Sequence, residues 1–470
     1  MNLVQCRLTA VLVGAVTLGV FPTQPAPAAM PATMTERQLT RGPGGRILTN
    51  SGVWSPDGEW LVYDVRSDPA GSVFDGDRIE IINVITGEIQ TVYHSRNGAR
   101  CGAASFNPRT GQVVLILGPE FPTKDWDYGP YHRQGVVLDW PGRGPGAGRV
   151  CNLDARDLVP PFTAGALRGG THLHIWDSKG DWVCFTYEDH ILAQLPPGAG
   201  HDLNQRNIGV SVPGHPVRVP TAHARNLDGE FFSAIVTRTT PAPRPGSDEI
   251  QRACEEAWVG TNGYLRADGR RQTRALAFQG QVIDAQGHAC SEVFVVDLPS
   301  DVALSGEGPL AGTPTRYPAP PRGTVQRRLT RTADWRYPGL QGPRHWLRSS
   351  PDGAQIAFLA KDVGGVVQLW TVSPLGGSPR QVTTNHLPIA SAFTWSPDGK
   401  CVAHVMDNSV CITRLEDGVT TPVTGRTDEE SAPRPEACVF SPDGRSIAFI
   451  RRLPSGGGVA NQIMVVSPVP

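Results

Sequence analysis

The sequence has no surplus of either charge. Lys and Arg number 43 against 44 Asp and Glu, a formal net charge of -1. No broad basic field exists to neutralise a phosphate backbone or an anionic bilayer, so nucleic acid and membrane surfaces are set aside as partners. There is no Cys-x-x-Cys to suggest zinc or dithiol chemistry. There is no Gly-x-Ser-x-Gly elbow, and no Ser/His/Asp order sits on a recognisable hydrolase scaffold. Phosphate-cradling Gly motifs are missing too, because Gly364-Gly365 and Gly456 with Gly458 read as hairpin turns. What the chain has in quantity is Gly (53) and Pro (43), which suits an all-β fold with frequent turns.

The first residues read as an address. Arg7 precedes an apolar run over residues 8–21, and Ala26-Pro-Ala28-Ala29 offers small residues for cleavage. A run of about 14 residues is too short to span a bilayer, so residues 1–29 are expected to be a cleaved secretory signal. Cys6 lies before the apolar run, which argues against a lipid-modified cysteine. The mature chain, residues 30–470, is then periplasmic or secreted and has no membrane span. Its eight cysteines are Cys101, Cys151, Cys184, Cys254, Cys290, Cys401, Cys411 and Cys438. Most fall in apolar strands, where a thiol packs as a small hydrophobe. Cys254 and Cys290 flank the least regular region and form the one candidate disulfide pair.

A short stretch recurs along the rest of the chain. It appears as Trp54-Ser-Pro-Asp-Gly58, Trp395-Ser-Pro-Asp-Gly399 and Phe440-Ser-Pro-Asp-Gly444. Looser copies are Ser349-Ser-Pro-Asp-Gly353, Phe106-Asn-Pro-Arg-Thr-Gly111 and Trp176-Asp-Ser-Lys-Gly180. Pro presets φ, Asp bonds its own backbone and Gly accepts the positive φ that closes a turn. An alternating apolar run follows each copy, so each is one hairpin. A hairpin alone cannot bury its apolar face, and copies about 40–50 residues apart imply a stacked or circular array. Closing the array into a ring shields its edges. The expected fold is an all-β β-propeller of seven blades, or six if the irregular middle folds differently.

Closure can be read as well. Arg37-Gln-Leu-Thr40 matches Arg327-Arg-Leu-Thr330 and Arg380-Gln-Val-Thr383, which look like outermost strands. The C-terminal unit ends on a third strand near residues 462–466, so the N-terminal strand is expected to complete the last blade. The third blade starts near Arg168. The fourth is expected to begin at a poor turn copy, Asn226-Leu-Asp-Gly229. An insert follows at about residues 241–274, with a helix over 247–258 that Ser247-Asp-Glu249 would cap. Asp248, Glu249, Glu255 and Glu256 would form a solvated face of that helix.

The Trp-Ser-Pro-Asp-Gly units with their Arg-Gln-Val-Thr strands resemble the propeller repeats of the periplasmic protein TolB. Other stretches resemble the YidR-like bacterial proteins, a family of unknown function, over nearly the whole mature chain. These are Arg168-Gly-Gly-Thr-His-Leu-His174, Pro245-Gly-Ser-Asp-Glu-Ile250, Glu255-Glu-Ala-Trp-Val-Gly260, Tyr337-Pro-Gly-Leu340 and Pro343-Arg-His-Trp346. That resemblance implies a propeller and hands over no catalytic residues. The export signal and residues 261–273 are departures from it. A more distant similarity in fold is to oligogalacturonate lyase, a propeller enzyme that binds a divalent metal through histidines.

Chemistry is sought in residues odd for their place in the repeat. Four positions before the residue that precedes the turn stand Asn50, Gly102, His172, Thr221, His345, Ser391 and Glu436. Two positions before it stand Gly52, Ala104, His174, His223, Leu347, Phe393 and Cys438. Both sets start inner strands near one mouth of the tunnel. His172 and His174, two apart on one strand, can offer two nitrogens to a metal, with His345 as a third ligand. The ion would be Zn²⁺ or Mn²⁺, depending on what completes the shell. Arg168 and Arg344 can bind a carboxylate through a fork, and His223 and Glu436 complete the candidate ligand-binding set. The structural alternative is that these histidines bond a neighbouring blade's carbonyls and pack. Two functions follow: an exported propeller binding a small molecule, oligosaccharide or protein at the tunnel mouth, or a metal-assisted lyase or hydrolase on an acidic sugar.

Overall fold

The computed structural model describes residues 34–140, 148–196, 198, 200–343, 346–456 and 458–468. Seven antiparallel sheets of four strands each follow one another along the chain. The first blade is Gly45–Ile47, Trp60–Arg66, Arg78–Asn83 and Ile89–His94. The second is Cys101–Phe106, Val113–Leu117, Gln134–Leu138 and Val150–Asn152. The third is Gly169–Trp176, Val183–Asp189, Asn207–Val212 and Phe232–Ile235. The fourth is Arg252–Trp258, Ala275–Ile283, Ala289–Asp297 and Val325–Arg328. The fifth is Arg348–Ser349, Ile356–Lys361, Val367–Val372 and Arg380–Gln381. The sixth is Thr394–Trp395, Cys401–Met406, Ser409–Arg414 and Thr420–Pro422. The seventh joins Pro433–Phe440, Ile447–Ser455 and Gly458–Pro468 to the N-terminal strand Met34–Gln38. Consecutive blades touch one another around the whole circle, so the fold is a seven-bladed β-propeller.

The ring closes as the matched outer strands imply. Gln38 pairs with Met464, and Leu39 N–H donates to Ile463 O at 2.9 Å. Arg451, 2 % exposed, forks onto the Glu36 carboxylate at 2.6 and 2.9 Å. Paired edges and a buried bidentate ion pair thus join the two ends of the chain.

The turns show why the motif repeats. Ser55 Oγ donates to Asp57 Oδ1 at 2.5 Å, the same oxygen accepts from Glu59 N–H, and Trp60 N–H donates back to Ser55 Oγ. Ser350 with Asp352, Ser396 with Asp398 and Ser441 with Asp443 repeat that knot. The Trp before the turn staples blades together. Trp54 Nε1 donates to Val439 O, Trp258 Nε1 to Ile175 O and Trp395 Nε1 to Arg348 O, all at 3.0–3.1 Å.

Trp258 also corrects the reading of the middle. The segment expected to be a helix is the inner strand of blade four, where Arg252, the small residues Ala253, Cys254 and Ala257, and Trp258 pair with residues 276–281. Only the small hairpin Tyr264–Leu265 with Arg271–Gln272 projects from it. Phe232–Ile235 is the outer strand of blade three, not the start of blade four. The eight described cysteines are free thiols. Cys254 lies opposite Gln279 and Cys290 opposite Val282, so they stand at different heights of one sheet and do not pair.

Candidate functional site

Inner strands line the tunnel, and four of them slip in register, blade seven doing so between Pro433 and Cys438. Blades two, three and four each carry a register shift, at Gly102/Ser105, His172/Ile175 and Cys254/Ala257. In each, one residue adopts a left-handed φ: Ala103 at 52°, Leu173 at 56° and Glu255 at 59°. All three stand three positions before the turn-preceding Phe106, Trp176 or Trp258. A bulge adds a residue and breaks the rule that positions two apart share a face. This is why His172 and His174 separate. The extra residue lines the cavities instead, as Ala103 and Leu173 do together with Trp346.

One mouth of the tunnel is a cavity of about 370 Å³. His172, Arg66, Phe74, Arg434, Glu436 and Trp346 are among its walls. A layered stack buttresses it. The Arg66 guanidinium lies 5.0 Å over the Phe74 ring, Phe74 stacks on Tyr128 at 5.0 Å, and Arg133 lies 5.1 Å over Tyr128. Arg133 then donates to His172 Nδ1 at 2.7 Å. A guanidinium only donates, so His172 holds its proton on Nε2 and offers no lone pair from Nδ1. Burial, reinforced by Arg133, Arg206 and Arg66, drives the His172 pKa far down and keeps the ring neutral. Arg66 is paired with Asp64 at 2.7 Å, Arg206 with Glu188 at 2.7 Å and Arg434 with Glu436 at 3.7 Å. Arg133 has no carboxylate at ion-pair distance among the described residues.

The other expected site residues are placed as follows. His174 is buried beneath the mouth, where Nε2 meets Thr171 Oγ1 at 3.0 Å, and burial lowers its pKa to about 3. Arg168 is 1 % exposed, bonded to Asp189 at 2.7 Å and to the carbonyls of Thr313 and Arg316, so it clamps a loop and has no fork left for a ligand. His223 is not at the tunnel. It lies exposed beside Trp126 and accepts from Arg225 N–H, because the inner strand of blade four starts 29 residues later, at Arg252 rather than His223. Glu436 does line the mouth. Arg344 and His345 lie outside the described residues. No group of three His, Cys, Asp or Glu side chains suited to a metal ion occurs among the described residues. With His172 Nδ1 occupied and His174 buried behind it, the described side chains do not fit a metal centre.

Alignment on Trp258 gives the residues missed from the sequence. Its four-back and two-back positions are Cys254 and Glu256 in place of Thr221 and His223. Glu256 is 3 % exposed, accepts from Thr186 Oγ1 at 2.8 Å, and is pushed up to about 7 by burial. Of the acids expected on a solvated face, Asp248 pairs with Arg331 and Glu249 with Arg244. In a second cluster, Trp126, Tyr131, His132 and His190, the histidines bond each other, while buried Trp126 Nε1 has no partner among the described residues. His132 Nδ1–H donates to Asp127 O, and its Nε2 accepts from His190 Nδ1–H at 3.1 Å.

Comparison with known proteins places the chain. Residues 100–227 match a family described as a protein of unknown function, DUF3748. The Escherichia coli (strain K12) uncharacterized protein YidR is 43% identical over 418 residues, covering 88% of this chain and 94% of that one. The chain belongs to the YidR family. Among solved structures, an oligogalacturonate lyase from Vibrio parahaemolyticus aligns at TM-score 0.54 with 9% identity, covering 93% of this chain and 97% of that one. An oligogalacturonate lyase in complex with manganese aligns at 0.51 with 12% identity, covering 94% of each chain. At such identities the likeness is one of fold. Among the described residues, no helix is long and apolar enough to cross a membrane.

Proposed function

We propose that this YidR-family propeller binds a small anionic molecule, most simply a carboxylate, at the tunnel mouth. One observation carries the reading. The neutral His172 lines a recessed cavity of about 370 Å³, and Arg133, without a carboxylate partner among the described residues, stands behind it and orients it. That size suits a small molecule or a terminal residue of an oligosaccharide. An anion here would meet the His172 Nε2–H and the guanidinium field, while Glu436 opposite would select against a second negative group nearby. The rigid ring holds these donors in place before binding, which lowers the entropy lost on association. The leader, outside the described residues, supports export, so the proposed site of action is the periplasm or the medium.

Thermal-shift and calorimetric titration with a panel of acidic sugars and dicarboxylates, each paired with its neutral ester, tests this. Acids are expected to bind and esters not. R133M is expected to weaken binding at least tenfold while H172F retains the fold. Equal binding of acids and esters, or binding indifferent to R133M, would overturn the reading.

A further inference from the structure

Below the mouth the tunnel narrows to a second, much smaller space, with room for about one water centre, about 10 Å³. Five blades reach it, and Thr49, Ala103, Leu173 and Trp346 wall both this space and the mouth. Three buried polar atoms on its lining residues have no hydrogen-bond partner among the described residues: His174 Nδ1, Glu256 Oε1 and Arg348 Nε. They come from blades three, four and five. Orphaned polar atoms are rare in folded proteins, and three around one space call for an occupant.

The hydrogen-bond network says what each atom offers. Thr171 Oγ1 donates to Asp154 Oδ1 at 3.3 Å, so it accepts from His174 Nε2–H at 3.0 Å. His174 Nδ1 is therefore a lone pair. Glu256 has its other carboxyl oxygen on Thr186, which leaves Oε1 as an acceptor. Arg348 directs its other nitrogens to the carbonyls of Leu347 and Asn50 at 2.7 and 3.0 Å, leaving Nε–H as a donor. The space thus presents two acceptors and one donor. A small cation would face the guanidinium, and a halide would face two lone pairs. A water molecule donates twice and accepts once.

We propose that the propeller axis holds one ordered water bridging His174 Nδ1, Glu256 Oε1 and Arg348 Nε. It is a fixed polar pivot joining three blades and forming the floor of the mouth cavity. The proposal stands whether or not the mouth takes an anion. Its test is a high-resolution crystal structure of the ligand-free protein with anomalous data. The expected result is a single peak of water density within hydrogen-bond distance of all three atoms, without anomalous signal. That peak should persist in E256Q and vanish in E256L. An empty space, an anomalous ion, or a direct Glu256–Arg348 bond filling the gap in the wild-type protein would each overturn it, even if E256L failed to fold.

Discussion

Blades five, six, seven and one differ from blades two, three and four in how faithfully the turn repeats. In the first group the Ser-Pro-Asp-Gly knot recurs with near-identical bonds, and the Gly φ values are 73°, 75°, 72° and 73° at Gly58, Gly353, Gly399 and Gly444. In the second group the knot is improvised. Asn107 Oδ1 takes the N–H groups of Arg109 and Thr110, and Asp177 Oδ1 those of Asp181 and Trp182. The same three blades carry the left-handed bulges and supply His172, His174 and Glu256 to the tunnel. Departure from the repeat marks where side chains are re-aimed, as bulges near functional sites do.

The largest expected effect comes from attacking the regular side at its seam. Deleting residues 34–40 exposes the long edge of Gly458–Pro468 and strands Arg451 without Glu36. An uncompensated buried charge costs about 3 kcal/mol or more by itself. With the lost strand pairing, the sum approaches the whole stability of a typical domain, about 5–15 kcal/mol. Loss of a cooperative melt and aggregation on size-exclusion chromatography are the expected outcome. E36A alone should melt cooperatively at a lower temperature.

The irregular side should respond to pH instead. Glu256 titrates at about 7 in the folded chain against an ordinary value of 4.5, with desolvation outweighing the favourable Thr186 bond and Arg206. Glu255 adds to the rise, while His174 and Arg348 stand around the same space. A raised carboxyl pKa means the native state holds its proton more tightly. Its contribution is full below pH 4.5 and is lost as pH rises through 7. The loss is at most about 3 kcal/mol. E256Q should therefore match the wild type near pH 4 and melt higher at pH 8. Parallel melting curves across that range would show that burial does not dominate at Glu256.

Packing behind the bulge gives a smaller effect. A Cβ at Gly135 would stand 2.7 Å from His174 Nε2 and 2.9 Å from Asp154 Oδ1. G135A is expected to cost about 1–3 kcal/mol in chemical denaturation, by displacing a histidine that has nowhere to go.

How much of this was legible follows the same division. The seven blades and the closing strand were readable, since Ser-Pro-Asp-Gly and Arg-Gln-Leu-Thr report local turn and edge chemistry that does not depend on distant residues. Blade four was misread because its Trp258 is followed by Val-Gly-Thr-Asn-Gly rather than by the motif, and Ser247-Asp-Glu249 suggested a helix N-cap. Tertiary burial overrode that suggestion. The bulges were invisible, since Ala103, Leu173 and Glu255 are not residues that announce a positive φ. Without them strand parity put His172 and His174 on one face. Arg133 carries no signal in the sequence, because its meeting with His172 across 39 residues is a property of the packed ring.

The smallest effects discriminate most finely between the two sides. D398A removes an exposed turn acid whose partners, Ser396 Oγ and Lys400 N–H, can turn to water, so about 1 kcal/mol is expected. Asp177 occupies the corresponding turn of blade three but is 5 % exposed. It also holds Arg274 of blade four at 2.9 Å, and that guanidinium lies 4.4 Å over Trp182. D177A should thus cost about 2 kcal/mol, because it leaves a half-buried cation at a blade interface with only the longer contact to exposed Asp181 at 3.5 Å. If D177A and D398A cost the same, the irregular turns are interchangeable with the regular ones. The association between a broken repeat and an interlocked tunnel wall would then fail.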